Sequence, residues 1–295
     1  MGFEKLTFRQ DYYQDPKAWE ALVDLLRDTF GIDVGLQMTM GGYDKSCMPF
    51  GWFDEKGVLV ANLSAFTMPM MINGTVVKAA AFQSGAVRPD WQGQGLYRDV
   101  MRKAFQWSDD QDFDFGILLT DKPTMYEPYG FRTVPQTVFV AKKLSKGKKA
   151  GSSRHLSLNE PDDLMLLQNK LKHRTPVSNR FAVMKQLEMF LLNAAFDPTI
   201  QLVHLSQPDI IVALRTSDDG GLYLLDLVGD RIPALDVLVT ELDIAAETIK
   251  LYFPPDQLAC DFEPEAYQGY CALMIRSDRE WPMPSPVILS PMAEF

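Results

Sequence analysis

Residues Gly85-Ala86-Val87-Arg88-Pro89-Asp90-Trp91-Gln92-Gly93-Gln94-Gly95-Leu96-Tyr97 separate two runs of different periodicity. The run that enters, Val76 to Phe82, is apolar and strand-like. The run that leaves puts Leu96, Val100, Met101, Ala104 and Phe105 on one face and Arg98, Asp99, Arg102 and Lys103 on the other. That spacing is helical. The stretch therefore predicts strand, glycine-rich turn, helix. Such a turn presents backbone N–H groups at the positive end of a helix and forms an anion site. Its glycines let the backbone approach a ligand closely.

The surrounding pattern selects among folds. Asp15-Pro16 predicts a helix start, with the helix reaching about Phe30 and an inward face of Trp19, Leu22, Val23, Leu26 and Phe30. Residues 4–10 predict a first strand, and Pro49–Phe53, Gly57–Met71 and Thr75–Val87 three more. Asn73-Gly74 predicts a hairpin between the last two. After the helix at about 94–108, Phe115–Thr120 predicts a strand parallel to the one before the loop. Val134–Ala141 predicts a last strand of this half. A dinucleotide-binding loop would need a glycine at position 98, which is Arg98, and would not follow an antiparallel hairpin.

At 295 residues the chain has room for about two domains. The basic, apolar-poor run from Lys142 to Ser153 marks the boundary. The expected division is 1–144, a linker at 145–154, and 155–295. The second half predicts a helix led by Pro161 and a longer one from Asn179 to Phe196. Strands follow at Gln201–Leu205, Ile210–Arg215 and Leu222–Val228, then a helix at Pro233–Leu242 and strands at Thr248–Phe253 and Tyr270–Ile275. This repeats the order of the first half. Here, however, Gly229-Asp230-Arg231 replaces the glycine-rich loop, and Asp230 would repel a phosphate.

The net charge of −10 argues against nucleic acid as a partner and suits a cationic substrate. No apolar run approaches the roughly 18 residues that span a bilayer, and the N-terminus lacks a signal-peptide core, so no membrane is expected and the cytoplasm is the expected location. Three cysteines without a CxxC and three histidines without ligand spacing give no disulfide framework and no metal site.

Two segments resemble the GCN5-related N-acetyltransferase (GNAT) superfamily. Val87-Arg-Pro followed by Gln92-Gly93-Gln94-Gly95-Leu96-Tyr97 is similar to its pyrophosphate-binding segment. Tyr126-Glu-Pro-Tyr-Gly-Phe131 is similar to its Tyr-x-x-x-Gly-Phe. Tyr97 stands where that superfamily usually has Gly or Ala. The tandem order resembles the enhanced-intracellular-survival acetyltransferases, here without room for their sterol-carrier-like third domain.

The resemblance implies an α/β (α+β) fold of two tandem GNAT-like domains, the second degenerate. It implies acetyl-coenzyme A as co-substrate, an amine on a small molecule or peptide as acceptor, and assembly as a homo-oligomer. Gly85, Ala86, Val87, Gln92, Gly93, Gln94, Gly95, Leu96 and Tyr97 would bind the cofactor. Tyr126 would protonate the leaving thiolate, and the terminal carboxylate of Phe295 would act as base. Asp44, Asp121 and Glu127 are further acids without a feature to separate them. Residues 41–49 are expected beside the acceptor, and Cys47 has no base partner to make it a nucleophile. The alternative is a non-catalytic acyl-coenzyme A-binding or regulatory module.

Overall fold

The computed structural model describes residues 5–141, 148–184, 186–217, 220–244, 246, 248–277 and 282–295. In the first half β1 (Thr7–Gln10), α1 (Pro16–Phe30), β2 (Met48–Phe53), β3 (Leu59–Ile72) and β4 (Thr75–Val87) precede the glycine-rich loop. Next come α2 (Leu96–Asp109), β5 (Phe115–Thr120), β6 (Phe131–Thr133) and β7 (Thr137–Ala141). In the second half β8 (Ser153–His155), α3 (Pro161–His173), β9 (Phe181–Val183), α4 (Leu187–Phe196), β10 (Gln201–Leu205) and β11 (Ile210–Thr216) are followed by β12 (Leu222–Val228). The remaining elements are α5 (Leu235–Leu242), β13 (Ile249–Leu251), β14 (Phe262–Ala266) and β15 (Ala272–Arg276).

Local chemistry sets these boundaries. The Asp15 carboxylate caps α1, accepting from the N–H groups of Lys17 at 3.0 Å and Ala18 at 3.4 Å. Gly31, at φ +70°, ends it with an N–H bond back to the Arg27 carbonyl. Asn73 and Gly74 both have positive φ, as a two-residue hairpin requires.

The longer helix expected from Asn179 is shorter, because its first residues form β9 against the end of β3. Side chains fix the turn that leads into β9. Ser178 Oγ accepts from Arg180 and Phe181, and Asp256 accepts from Asn179 at 2.8 Å. β14 is a strand that the sequence reading missed.

Two mixed sheets flanked by helices result. The first runs β1-β2-β3-β4-β5-β15-β6, with β9 also on β3. The second runs β14-β7-β13-β12-β11-β10-β8. Each has one parallel pair, β4 with β5 and β12 with β13, and the other pairs are antiparallel. α1 covers one face of the first sheet and α2 the other. Along β4, Ala79 and Ala81 face the α1 core, while Ala80 and Phe82 face the α2 core. Leu22, Leu25 and Leu26 of α1 are fully buried, each stabilising by about 1.5–3 kcal/mol. Phe30, expected to face inward, is instead 52% exposed. It stands at the mouth of the cavity described below.

The two halves exchange strands. β15, from the second half, lies between β5 and β6 in the first sheet. β7, from the first half, lies between β13 and β14 in the second. The run expected as a linker lies between them in sequence. Its residues 142–147 fall outside the described ones, and Glu241 accepts from the N–H groups of Ala150 and Gly151. The strand expected at Tyr270–Ile275 is thus present, but in the sheet of the other half.

The C-terminal segment follows the second sheet and then leaves it. Thr137 N–H donates to Val287 O at 2.8 Å, and Leu289 N–H to Gln136 Oε1 at 2.8 Å. Ser290 Oγ donates to the carbonyl of Leu225, where the pairing of β12 with β11 shifts register. A 3-10 turn, Pro291–Ala293, then packs on α4 and β12.

A fragment of residues 1–144 would leave β5 with a bare edge and β6 without its partner. It is expected to show no cooperative thermal unfolding by circular dichroism. Co-expression with 155–295 is expected to restore a single cooperative melt.

Candidate active site

The site begins where β4 and β5 part. They pair only at Ala79–Phe82 with Phe115–Leu118. Beyond that, β4 runs on to Val87 and β5 to Thr120 with nothing bonded between them. A bulge bends β4 away: Ser84 and Gly85 together face Leu63, and Ser84 takes φ +59°.

A buried polar network holds the bulge. Asn62, fully buried, donates from Nδ2 to the Ser84 carbonyl at 2.8 Å and to Ser64 Oγ at 3.2 Å. Its Oδ1 accepts from the Tyr12 hydroxyl, and Tyr13 bonds Ser64 at 3.0 Å. Burial pushes both tyrosine pKa values well above the usual range, so both stay neutral.

On the α2 face the glycine-rich loop forms an open groove lined by Val87, Trp91, Gln92 to Arg98, Met101 and Arg102. Gly93 and Gly95 take φ +75° and +86°, which side-chain-bearing residues rarely adopt. The first helical bond of α2 runs from Asp99 N–H to Gly95 O at 3.1 Å. The amides of Leu96, Tyr97 and Arg98 therefore have no acceptor within the helix. Asp99 is taken up by Trp52 Nε1 and Lys103 Nζ, both at 2.8 Å. Arg98 and Arg102 line the groove, so its charged groups suit an anion such as a pyrophosphate.

Tyr126 sits between two 3-10 turns after β5, and Gly130 at φ +87° closes the second. Arg276 of the exchanged β15 fixes this turn. Its Nε donates to Tyr129 O at 3.0 Å, and its guanidinium forks onto Asp109 at 2.6 and 2.8 Å. The ring of Tyr126 is 8% exposed, and its hydroxyl lies 2.6 Å from that of Tyr97. Burial raises the Tyr126 pKa, while its bond to Tyr97 works the other way. Burial raises Tyr97 well above the usual range.

On the α1 face the opening leads into a cavity of about 490 Å³, large enough for a small molecule. Its walls include Gln83, Ser84 and Gly85 of β4, Leu119 and Thr120 of β5, and Tyr126. Trp19, Phe30, Phe196 and Tyr270 make it aromatic. Asp44, Asp121 and Glu294 make it acidic, against one lysine, Lys122. Glu294 is exposed to the cavity but enclosed by its walls, and desolvation raises its carboxyl pKa with Arg215 opposing. Phe295 lines the cavity and packs edge-on to Phe66, ring centroids 5.4 Å apart. Asn193 Nδ2 holds this segment by the Glu294 carbonyl at 2.8 Å.

The expected residues thus divide over two sides of one opening. Gly85, Tyr126 and Phe295 face the cavity; Val87 and Gln92 to Tyr97 face the groove; Ala86 is buried. Asp44, Cys47 and Asp121 line the cavity, whereas Glu127 does not. Burial drives the Cys47 thiol pKa far up, so it is no nucleophile at neutral pH. Sequence reasoning missed Asn62, Arg276 and Glu294. Only Asn62 carried a signal, a polar residue in the apolar strand Leu59–Phe66. Among the described residues no group of His, Cys, Asp and Glu is placed to hold a metal ion, and no helix is long and apolar enough to cross a membrane.

A parallel strand pair thus parts at a bulge, beside a turn whose free amides and arginines suit an anion. Residues 13–134 match the acetyltransferase (GNAT) domain, so the chain contains such a domain. Among solved structures, Eis1 from Mycobacterium abscessus matches with TM-score 0.59 at 17% identity, over 91% of this chain and 72% of that one. A conserved protein of unknown function from Enterococcus faecalis V583, described as a probable N-acyltransferase, gives 0.58 at 12% identity, over 92% and 72%. A GCN5-related N-acetyltransferase from Kribbella flavida gives 0.56 at 15% identity, over 94% and 72%. These likenesses concern the fold and run through both halves. No curated protein matches the chain by sequence.

Replacing Asn62 by Leu would leave the Ser84 carbonyl and the Tyr12 hydroxyl buried without this partner. It is expected to cost about 2 kcal/mol of stability, read from the midpoint of urea unfolding.

Proposed function

We propose that the chain is an N-acetyltransferase that transfers the acetyl group of acetyl-coenzyme A to an amine by direct attack. The observation that carries this reading is the position of Tyr126. Its hydroxyl stands in the opening between β4 and β5, with an anion-type groove on one side and an acidic cavity on the other.

In this reading the amides at the start of α2, with Arg98 and Arg102, hold the pyrophosphate. The unpaired edge of β4 at Gly85 and Val87 binds the pantetheine arm as an added strand. Bound in this way, acetyl-coenzyme A supplies an activated thioester. The acceptor enters the cavity, where Asp44, Asp121 and Glu294 favour a cation and the aromatic walls favour an apolar body. Its amine, near pKa 10 when free, must lose a proton to attack. The nitrogen then bonds the acetyl carbon, the carbon–sulfur bond breaks, and Tyr126 gives its proton to the departing thiolate. The raised pKa of Tyr126 keeps that proton in place at neutral pH.

The amine proton goes to a carboxylate of the C-terminal segment. Two are at hand: the Glu294 side chain and the terminal carboxylate of Phe295. Glu294 has the better physical support, because its raised pKa brings it closer to the working range of a general base. Removing Phe295 would only carry the terminal carboxylate onto Glu294, so Glu294→Gln in the full chain separates the two: full activity there assigns the proton to the terminus. The tandem reading, with only the first half binding coenzyme A, rests on the absence of a glycine-rich turn after β12.

Thiol release from acetyl-coenzyme A over a panel of amines is the decisive measurement. Coenzyme A binding without thiol release for any amine would leave a non-catalytic binding module. Tyr126→Phe is expected to lower kcat by about 100-fold, in the range of a general acid, with no rise in the KM for acetyl-coenzyme A.

The proton acceptor works only when ionised, so activity should fall as pH drops through the folded pKa of Glu294. Because that pKa is raised, the acid limb should lie above the usual glutamate range of about 4.3. Glu294→Gln is expected to lower kcat and remove this limb from the pH–rate profile.

A further inference from the structure

Tyr97 occupies the position where a small residue was expected, and its side chain does more than crowd the loop. It starts on the first turn of α2, on the groove side. Its phenol reaches into the opening between the parted strands. A Cβ placed on Gly85 would lie 2.1 Å from the Tyr97 oxygen and 3.0 Å from its Cζ, so the phenol rests directly on the bulge of β4. Its hydroxyl meets that of Tyr126, on the turn after β5, at 2.6 Å. One side chain thus touches both sides of the opening, with the groove behind it and the cavity in front.

We propose that Tyr97 is a gate between groove and cavity, latched shut by its hydrogen bond to Tyr126. The inference rests on the coenzyme A reading above. A pantetheine arm that runs from the groove to the cavity must pass where the phenol lies. The phenol must therefore swing out over the groove before the thioester can reach the acceptor. Two features suit a hinged side chain. Tyr97 packs at the rim of the α2 core and stays partly open to the groove, although its hydroxyl is desolvated. Gly85, which has no Cβ, is what lets the ring close down at all. The latch also holds Tyr126 in check: while Tyr97 is closed, the hydroxyl assigned as the acid is engaged by another phenol and not by a leaving group.

A closed gate lowers apparent affinity by the fraction of molecules that are open. Binding of coenzyme A should therefore be compared with binding of adenosine 3′,5′-bisphosphate, which keeps the base, the 3′-phosphate and the first 5′-phosphate but has no pantetheine arm. Isothermal titration gives affinities, and stopped-flow tryptophan fluorescence gives association rates. In Tyr97→Ala, coenzyme A is expected to bind on the order of tenfold tighter, as for a gate open in about a tenth of molecules. It should also associate faster, while the bisphosphate binds unchanged. In Tyr97→Phe, which keeps the ring and loses the latch, coenzyme A should associate faster than in the wild type and slower than in Tyr97→Ala.

An unchanged or weaker coenzyme A affinity in a folded Tyr97→Ala, with bisphosphate binding intact, overturns the gate. If Tyr97→Ala does not melt cooperatively, Tyr97→Phe decides, and an unchanged association rate overturns the latch. If neither ligand binds any of the three proteins, the coenzyme A reading falls and the gate falls with it.

Discussion

Everything at the site depends on one broken pairing. A sheet that parts in its middle exposes backbone donors and acceptors on two interior edges, and unpaired buried peptide groups are costly. The chain handles this on the β4 side with a bulge fixed from behind. Asn62 takes the Ser84 carbonyl, Tyr12 takes the amide oxygen of Asn62, and Ser64 and Tyr13 complete the set. The parting is therefore built into the core and does not wait for a ligand. What remains unpaired faces an opening where another chain-like molecule can bond it.

The second half of the chain supplies the stiffness that such an opening removes from the first sheet. By lending β15, it gives β5 a partner on the edge away from the parting. That strand also brings Arg276, which pins the end of α2 through Asp109 and the Tyr126 turn through the Tyr129 carbonyl. Helix, turn and strand are thereby set at fixed positions around one hydroxyl. Positions set this way by packed elements are the kind of preorganisation that acid catalysis needs. The cavity wall also comes from both halves, with α1 on one side and Phe196, Tyr270 and the C-terminal segment on the other.

The loop and Tyr126 were legible in the sequence because their requirements are local. A turn with positive φ at Gly93 and Gly95 needs glycine wherever the chain goes next, and the hairpin at Asn73-Gly74 follows from two residues. The helix from Pro16 to Phe30 carried its own cap and stop. The strand exchange was not legible, because β7 and β15 alternate like any strands and nothing in a short strand names its partner. The role of Arg276 depends on that exchange and was hidden with it. Glu294 gave no signal because its surroundings are assembled from distant segments. Phe30 lies on the apolar face of α1, but at its last turn that face looks into the cavity and not onto a sheet. The strand at Phe181–Val183 displaced a helix because it pairs with the end of β3, a partner far away in sequence.

The path of residues 287–290 has a consequence for the second half. There, too, β12 carries a register shift, and the carbonyl at that point, Leu225 O, accepts from Ser290. The chain's own tail lies here, bonded to β12 and to the start of β7. Val287, Ile288 and Leu289 are buried there, in the cores on the two faces of the fold. The same segment continues as Glu294 and Phe295 into the wall of the cavity beside the first sheet. Only the Pro291–Ala293 turn separates the bond of Ser290 to β12 from the cavity wall, so one short peptide is shared by both halves.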